Sequence, residues 1–187
     1  MEICEGQQYD MNFETRDDVS LSEYMEMIRL KTAVLLAAAL KIGALTAHAD
    51  SADIERIYQF GIHIGLAFQL RDDLLDAYGD PATFGKQTGT DIQDNKKTYL
   101  FLLALQKGTE EQRNRLTELF KSHPENPEAK INEVLEIYKT LDIRNDVESA
   151  IKRLHQDAAS CLDDIRQPEN NKTLLRELAA KLLDRNV

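Results

Sequence analysis

The sequence predicts an all-α fold, and three observations carry that prediction. Apolar residues recur at three- and four-residue spacing along most of the chain, the period-two alternation and turn dipeptides of strands are nearly absent, and the four prolines and eight glycines fall mostly between periodic segments. The 187 residues fit one domain with a sizeable core, and 42% hydrophobic content excludes general disorder. Net charge is −10, from 33 acidic against 23 basic residues. That balance argues against a nucleic-acid groove and against a basic membrane-surface helix.

The elements follow in order. Ser20 and Glu23 have capping-box spacing, and the apolar pattern then predicts one long helix from Tyr24 to about Ala49, ending at the turn HADSAD. Its most apolar run, Thr32 to Leu40, is flanked by Lys31 and Lys41 and is far short of a membrane span, so a buried helix and no stable membrane insertion are expected. Asp53 is the expected cap of the next helix, which should stop near Gly79 because Pro81 disfavours helical backbone at Asp80. The polar stretch Phe84 to Thr98 is then a loop, of a length usually tied to function or motion. Helical periodicity resumes at YLFLLALQK, and amphipathic helices are expected over Glu110 to Lys121, Pro127 to Leu141, Val147 to Ile165 and Lys172 to Arg185, with HPENP and RQPENN between them. Residues 1–98 should carry the site and residues 99–187 the scaffold of the same domain. Cys4 and Cys161 lack metal-ligand spacing and occur without a signal peptide, the pattern of reduced cytoplasmic thiols.

The chemistry concentrates in AFQLRDDLLDAYGDP, which begins at Ala67. On a helical wheel at about 100° per residue, Gly61, Gly65, Phe68, Gln69, Asp72 and Asp76 share one stripe. The remaining surface carries Ile62, Ile64, Leu66, Ala67, Leu70, Leu74, Leu75 and Tyr78, so the helix is apolar almost all round and should be buried. Buried carboxylates are costly unless paired or bound to a cation, and Asp72 and Asp76 lie side by side at i,i+4. A hard divalent ion resolves that conflict; oxygen-only ligands with few protein donors suit Mg²⁺, which shares its other positions with water and substrate phosphates. Asp73 would act through water or orient its neighbours. Gly61 and Gly65 either leave room for a ligand against the backbone or mark close helix packing. The competing reading is three solvated aspartates balanced by a base such as Arg71.

FQLRDDLLD followed by GKQTGTDIQDNKKT resembles the second aspartate-rich region of the trans-type isoprenyl diphosphate synthases, such as farnesyl and geranylgeranyl diphosphate synthases. The resemblance extends to GQQYD at Gly6 to Asp10 and to the Lys31-Thr32 pair, in the family's order. It implies the C-terminal part of the isoprenoid synthase helical bundle. It further implies that Asp72 and Asp76 hold Mg²⁺ against an allylic diphosphate, with Asp73 in support, and that Lys31 and Lys86 contact that diphosphate. Thr32 and Gln69 would face the reacting allylic carbon, Gln7 and Asp10 would line the cavity, and Lys96 is a further substrate contact. The implied reaction ionises the allylic diphosphate and lets isopentenyl diphosphate attack the cation, with no protein nucleophile. A homodimer is implied as well.

Each residue also has a plainer reading. Lys31 could snorkel at a helix edge, Thr32 could bond its own preceding turn, and Gln7 and Asp10 could be solvated. Lys86 follows Gly85 but completes no P-loop, because Asp80 replaces the first glycine and Gln87 the Ser or Thr. His48, His63, His123 and His155 share no metal-ligand spacing. The family's first aspartate-rich motif is absent: Asp17 with Asp18, and Asp163 with Asp164, lack the third aspartate and stand in the wrong order. The expectation is therefore part of a longer synthase, inactive by itself. The alternatives are a non-catalytic subunit of a heteromeric synthase and an acidic helical interaction domain.

Overall fold

The computed structural model describes residues 1–80 and 88–183. Among these the chain forms α1 (Glu2–Thr15), α2 (Leu21–Ile28), a π-helical turn (Arg29–Ala33), α3 (Val34–Thr46), α4 (Ser51–Tyr78), α5 (Thr90–Gln93), α6 (Tyr99–Lys107), α7 (Glu110–Leu119), α8 (Pro127–Thr140), α9 (Ile143–Asp163) and α10 (Glu169–Leu183). No strand occurs among the described residues, and the all-α expectation holds.

Two expectations about helix starts and continuity need correction. The single helix over Tyr24 to Ala49 is broken in phase by the π turn, where the Val34 N–H reaches back five residues to the Arg29 carbonyl. Periodicity alone hides this, because the chain stays helical throughout. The buried positions reveal it: Tyr24 to Ile28 is a step of four, Ile28 to Ala33 a step of five, and Ala33 to Ala37 a step of four again. One extra residue in the turn lets both halves face the same core. Ser20 does begin the helix as predicted, with a complete capping box to Glu23. The next helix is capped by Asp50, whose carboxylate accepts the Asp53 N–H at 2.9 Å; Asp53 itself is buried one turn inside.

The long helix α4 is the axis of the fold. It is buried along most of its length, with Leu70 and Leu74 at 0% exposure, each worth roughly 1.5–3 kcal/mol of apolar transfer. Against α3 and the π turn before it, α4 packs almost backbone to backbone. A Cβ on Gly61 would lie 2.5 Å from the Ala37 Cα, and one on Gly65 would lie 2.5 Å from the Ala33 Cα. The two glycines therefore serve helix packing, the second of the roles open to them. The opposite side of α4 meets α9, and a smaller apolar cluster of Ile57, Phe60, Ile64, Ala158, Leu162 and Ala179 ties in α10.

The remaining boundaries differ at the ends only. The turn residue Asp142, with φ 56°, starts α9 at Ile143 rather than Val147, and α10 begins directly after Pro168. Inside the predicted loop, α5 forms because Gly89, at φ 78°, turns the chain so that its N–H meets the Asp76 carbonyl at 2.6 Å. No helix among the described residues is long and apolar enough to cross a membrane.

Candidate active site

A cleft of about 960 Å³ opens between α1, the α2–π segment, α4 and the stretch after α5. Three contacts fix its walls. At Gly6, α1 lies against the π turn so closely that a Cβ would be 2.4 Å from the Lys31 backbone nitrogen. At the other end of α1, the Lys97 ammonium donates to the Phe13 carbonyl at 2.7 Å and also to that of Arg16, a cation on the free carbonyls of a helix C-terminus. On the far side, the Asp76 carboxylate accepts from the Thr90 hydroxyl at 2.5 Å and the Asp91 N–H at 2.9 Å, holding α5 by its positive end.

Within these walls the charged residues pair across short distances. The Lys31 ammonium is 2.5 Å from the Asp10 carboxylate, joining the π turn to α1. The Lys96 ammonium is 2.7 Å from Asp91, which is largely enclosed while Lys96 stays mostly open. Burial pushes the Asp91 carboxyl above the usual range, partly offset by Lys96 and reinforced by the nearby Asp76 charge, and Asp91 in turn raises Lys96. Asp73 is 5% exposed and accepts from the Tyr24 hydroxyl at 2.5 Å, the Gln69 amide at 3.1 Å and the Tyr99 N–H at 3.4 Å. Burial pushes its carboxyl up to about 7 against those donors. Tyr24, enclosed beside this carboxylate, is held well above the usual phenol range. The Thr32 hydroxyl donates to the Gln69 carbonyl oxygen at 3.2 Å.

The structure brings together Asp10, Lys31, Gln69, Asp72, Asp73 and Lys96 around the cleft, with Thr32 behind Gln69. Gln7 is exposed on α1 and is not among the residues lining the cleft. Asp76 does not line it either: it is 8% exposed and directed at α5. Lys86 lies outside the described residues. The solvated-stripe alternative fails for Asp73 and Asp76, which are buried. The face of α4 turned to the cleft is thus Gln69, Asp72 and Asp73, rotated from the Asp72–Asp76 edge that the wheel favours.

Sequence reasoning missed Tyr24, Asp91 and Lys97. Tyr24 is 49 residues from its partner Asp73, so no local pattern links them. For Asp91 a signal existed: Thr90 and Asp91 directly follow Gly89, the usual composition of a helix start.

Among the described residues no three His, Cys, Asp or Glu side chains converge into a ready-made metal cage. The donors lining the cleft are chiefly carboxylate oxygens, among them those of Asp10, Asp72, Asp73, Asp91 and Asp94, with a single imidazole, His123. That set fits a hard ion which takes one or two protein carboxylates and keeps its waters, as Mg²⁺ does beside phosphate groups.

A helical bundle whose axial helix turns carboxylates toward a lysine-bearing cleft is an architecture suited to a polyanion carried with a divalent ion. The chain belongs to the polyprenyl synthetase family, whose model matches residues 1–138. It is 38% identical to a short chain isoprenyl diphosphate synthase of Methanothermobacter thermautotrophicus over 181 residues, covering 97% of this chain and 52% of that protein. To a geranylgeranyl diphosphate synthase of Saccharolobus solfataricus it is 32% identical, over 94% of this chain and 52% of the other. Among solved structures, a geranylgeranyl pyrophosphate synthase matches all of this chain and 58% of its own at TM-score 0.91 and 41% identity. A geranylgeranyl pyrophosphate synthase from Corynebacterium glutamicum, complexed with isoprenyl diphosphate and magnesium, matches 99% of this chain and 52% of its own at TM-score 0.88 and 32% identity. The chain therefore spans about half the length of the curated relatives that match it along its whole extent.

Proposed function

We propose that this chain is part of a prenyltransferase that condenses an allylic diphosphate with isopentenyl diphosphate. The observation that carries the proposal is the convergence of Lys31, Gln69, Asp72 and Lys96, from three separate elements, on one cleft. Asp72 and Asp91 would hold Mg²⁺, with Asp76 acting from behind by fixing α5; the bound ion supplies charge stabilisation to the departing diphosphate. Lys31, released from Asp10, and Lys96, released from Asp91, donate to the diphosphate oxygens. Gln69 and Thr32 turn oxygen lone pairs toward the carbon that becomes electron-poor, and the apolar surfaces of Phe13, Met27 and Phe101 keep water from it. No side chain forms a covalent bond to substrate; the departing diphosphate takes the proton lost after the new carbon–carbon bond forms.

The chain is inactive alone in this reading, and residues 1–98 carry the charged and amide groups of its half of the site while residues 99–187 support it and add Phe101 to its wall. Its half-length against relatives supports this, as does the outer face of α3, where Leu35, Ile42 and Leu45 are each more than half exposed. That same apolar face favours, as the second reading, a non-catalytic subunit that needs a partner chain. A cytoplasmic homodimer is the proposed setting. The test is incorporation of labelled isopentenyl diphosphate into longer prenyl diphosphates. The chain alone should give no product, and a polypeptide that adds the missing half should restore it. Turnover by the isolated chain at the rate of a full-length synthase would defeat the reading.

A further inference from the structure

Lys130 is a cation placed where packing asks for none. It lies on α8 at 3% exposure, outside the lining of the cleft, with its ammonium 5.5 Å from the centre of the Phe120 ring. Among the described residues no ion pair joins it to a carboxylate. It donates to three neutral oxygens instead: the Asn95 side-chain oxygen, the Gln93 carbonyl at 3.4 Å and the Ser122 carbonyl at 3.4 Å. A buried ammonium with neutral acceptors alone is costly, and a methionine of similar length would avoid that cost. Two of the acceptors belong to the turn that ends α5, and the third ties that turn to the end of α7. Asn95 sits in the left-handed region at φ 61°, and its amide also donates to the Ser122 carbonyl at 3.3 Å. Its N–H meets the Ile92 carbonyl at 3.2 Å and the Lys96 N–H meets the Asp91 carbonyl at 2.9 Å, the paired bonds of a left-handed helix stop. The next two side chains then diverge. Lys96 reaches Asp91 at 2.7 Å in the cleft, and Lys97 reaches the Phe13 carbonyl at 2.7 Å at the end of α1.

We infer that Lys130 is a positioning residue: by holding Asn95 it fixes the chain reversal that keeps Lys96 in the cleft and Lys97 on α1, and so it strengthens anion binding without touching the ligand. Without that hold the reversal depends on the left-handed preference of Asn95 alone, and Lys96 would spend part of its time away from the cleft. The effect on a diphosphate rests on the prenyltransferase reading. The hold on the turn does not depend on that reading.

The test is a double-mutant cycle on the whole chain, read by calorimetry of pyrophosphate with Mg²⁺. Lys130→Met should weaken binding by about five- to tenfold in the wild-type background, and by less than about twofold when Lys96 is already replaced in Lys96→Gln. A general loosening of the fold, or a long-range effect of the lost charge, would weaken both backgrounds alike. In parallel, amide exchange at Lys96 should accelerate by about tenfold or more in Lys130→Met, because its N–H closes the helix stop. Equal losses in the two backgrounds overturn the inference, as does unchanged exchange at Lys96. If Lys130→Met does not fold, Asn95→Ala takes its place in the cycle, since it removes the side chain that Lys130 holds. Equal losses or unchanged exchange at Lys96 in that variant overturn the inference in the same way. Failure of the wild type to bind pyrophosphate with Mg²⁺ would defeat the functional reading instead, and exchange at Lys96 would still decide whether Lys130 holds the turn.

Discussion

The Lys31 ammonium lies 2.5 Å from the Asp10 carboxylate, each about one-third exposed, at a point where α1 and the π turn touch through their backbones at Gly6. The pair keeps a cation at the cleft wall without leaving it to solvent. An incoming polyanion can exchange for Asp10 with little rearrangement, because the helices that carry both residues are already in contact.

Lys31→Gln should therefore weaken binding of Mg²⁺-pyrophosphate by about ten- to a hundredfold, the scale of a lost charge-assisted hydrogen bond. Its effect on folding should be small, below about 1 kcal/mol, since partly exposed ion pairs contribute little. Titration calorimetry and urea unfolding on the same samples separate the two effects.

The glycines of α4 give a sharper contrast. Gly65→Ala places a methyl 2.5 Å from the Ala33 Cα, where backbone must move, and should cost about 1–3 kcal/mol. Gly43→Ala on α3 meets nothing within 4 Å and should stabilise by up to about 1 kcal/mol through helix propensity. Urea midpoints should move in opposite directions at unchanged slope.

These residues also mark what the sequence can and cannot disclose. The spacing of Gly61 and Gly65 on one stripe of an apolar helix was legible, as were the stop at Gly79 and the cap at Ser20, because each depends on neighbours within a turn or two. Asp10, Lys31, Asp72, Asp73 and Lys96 of the cleft were legible through their motifs, whereas Asp91 and Lys97 were not. The π turn was not, because its extra residue leaves every local helical signal intact and shows only in which side chains are buried. Nor was the Tyr24–Asp73 contact, whose partners meet through packing of α2 on α4. The wheel put Asp76 beside Asp72 correctly; what it could not contain was α5, folded back to take up both Asp76 oxygens.

The start of α2 should respond to acid. The Glu23 carboxyl is held below its usual range, first by the Ser20 N–H and then by Arg16. A carboxylate with a lowered folded-state value stabilises the fold above its unfolded value and loses that contribution as pH falls through the folded one. Wild-type stability should thus decline below about pH 4 more steeply than that of Glu23→Gln. Ser20→Ala should cost about 1 kcal/mol at neutral pH. Thermal unfolding across that pH range checks both.

Holding α5 falls to Asp76, and its loss should be felt locally. Asp76→Ala removes the acceptor of the Thr90 hydroxyl and the Asp91 N–H together. Amide exchange at Asp91 should accelerate by about tenfold or more, while exchange in α10, which packs at the Ile57–Ile64 end of α4, should not change. Equal acceleration in both would mean that Asp76 supports the whole fold rather than this one segment.

The central claim is that Asp72 faces a cleft built for a magnesium-bound diphosphate. Its most direct measurement is calorimetry of pyrophosphate with and without Mg²⁺, on the wild type and on Asp72→Ala. The account predicts binding that requires Mg²⁺ and falls by about tenfold or more in the variant. Pyrophosphate binding that ignores both Mg²⁺ and the loss of Asp72, or no binding at all, would contradict it.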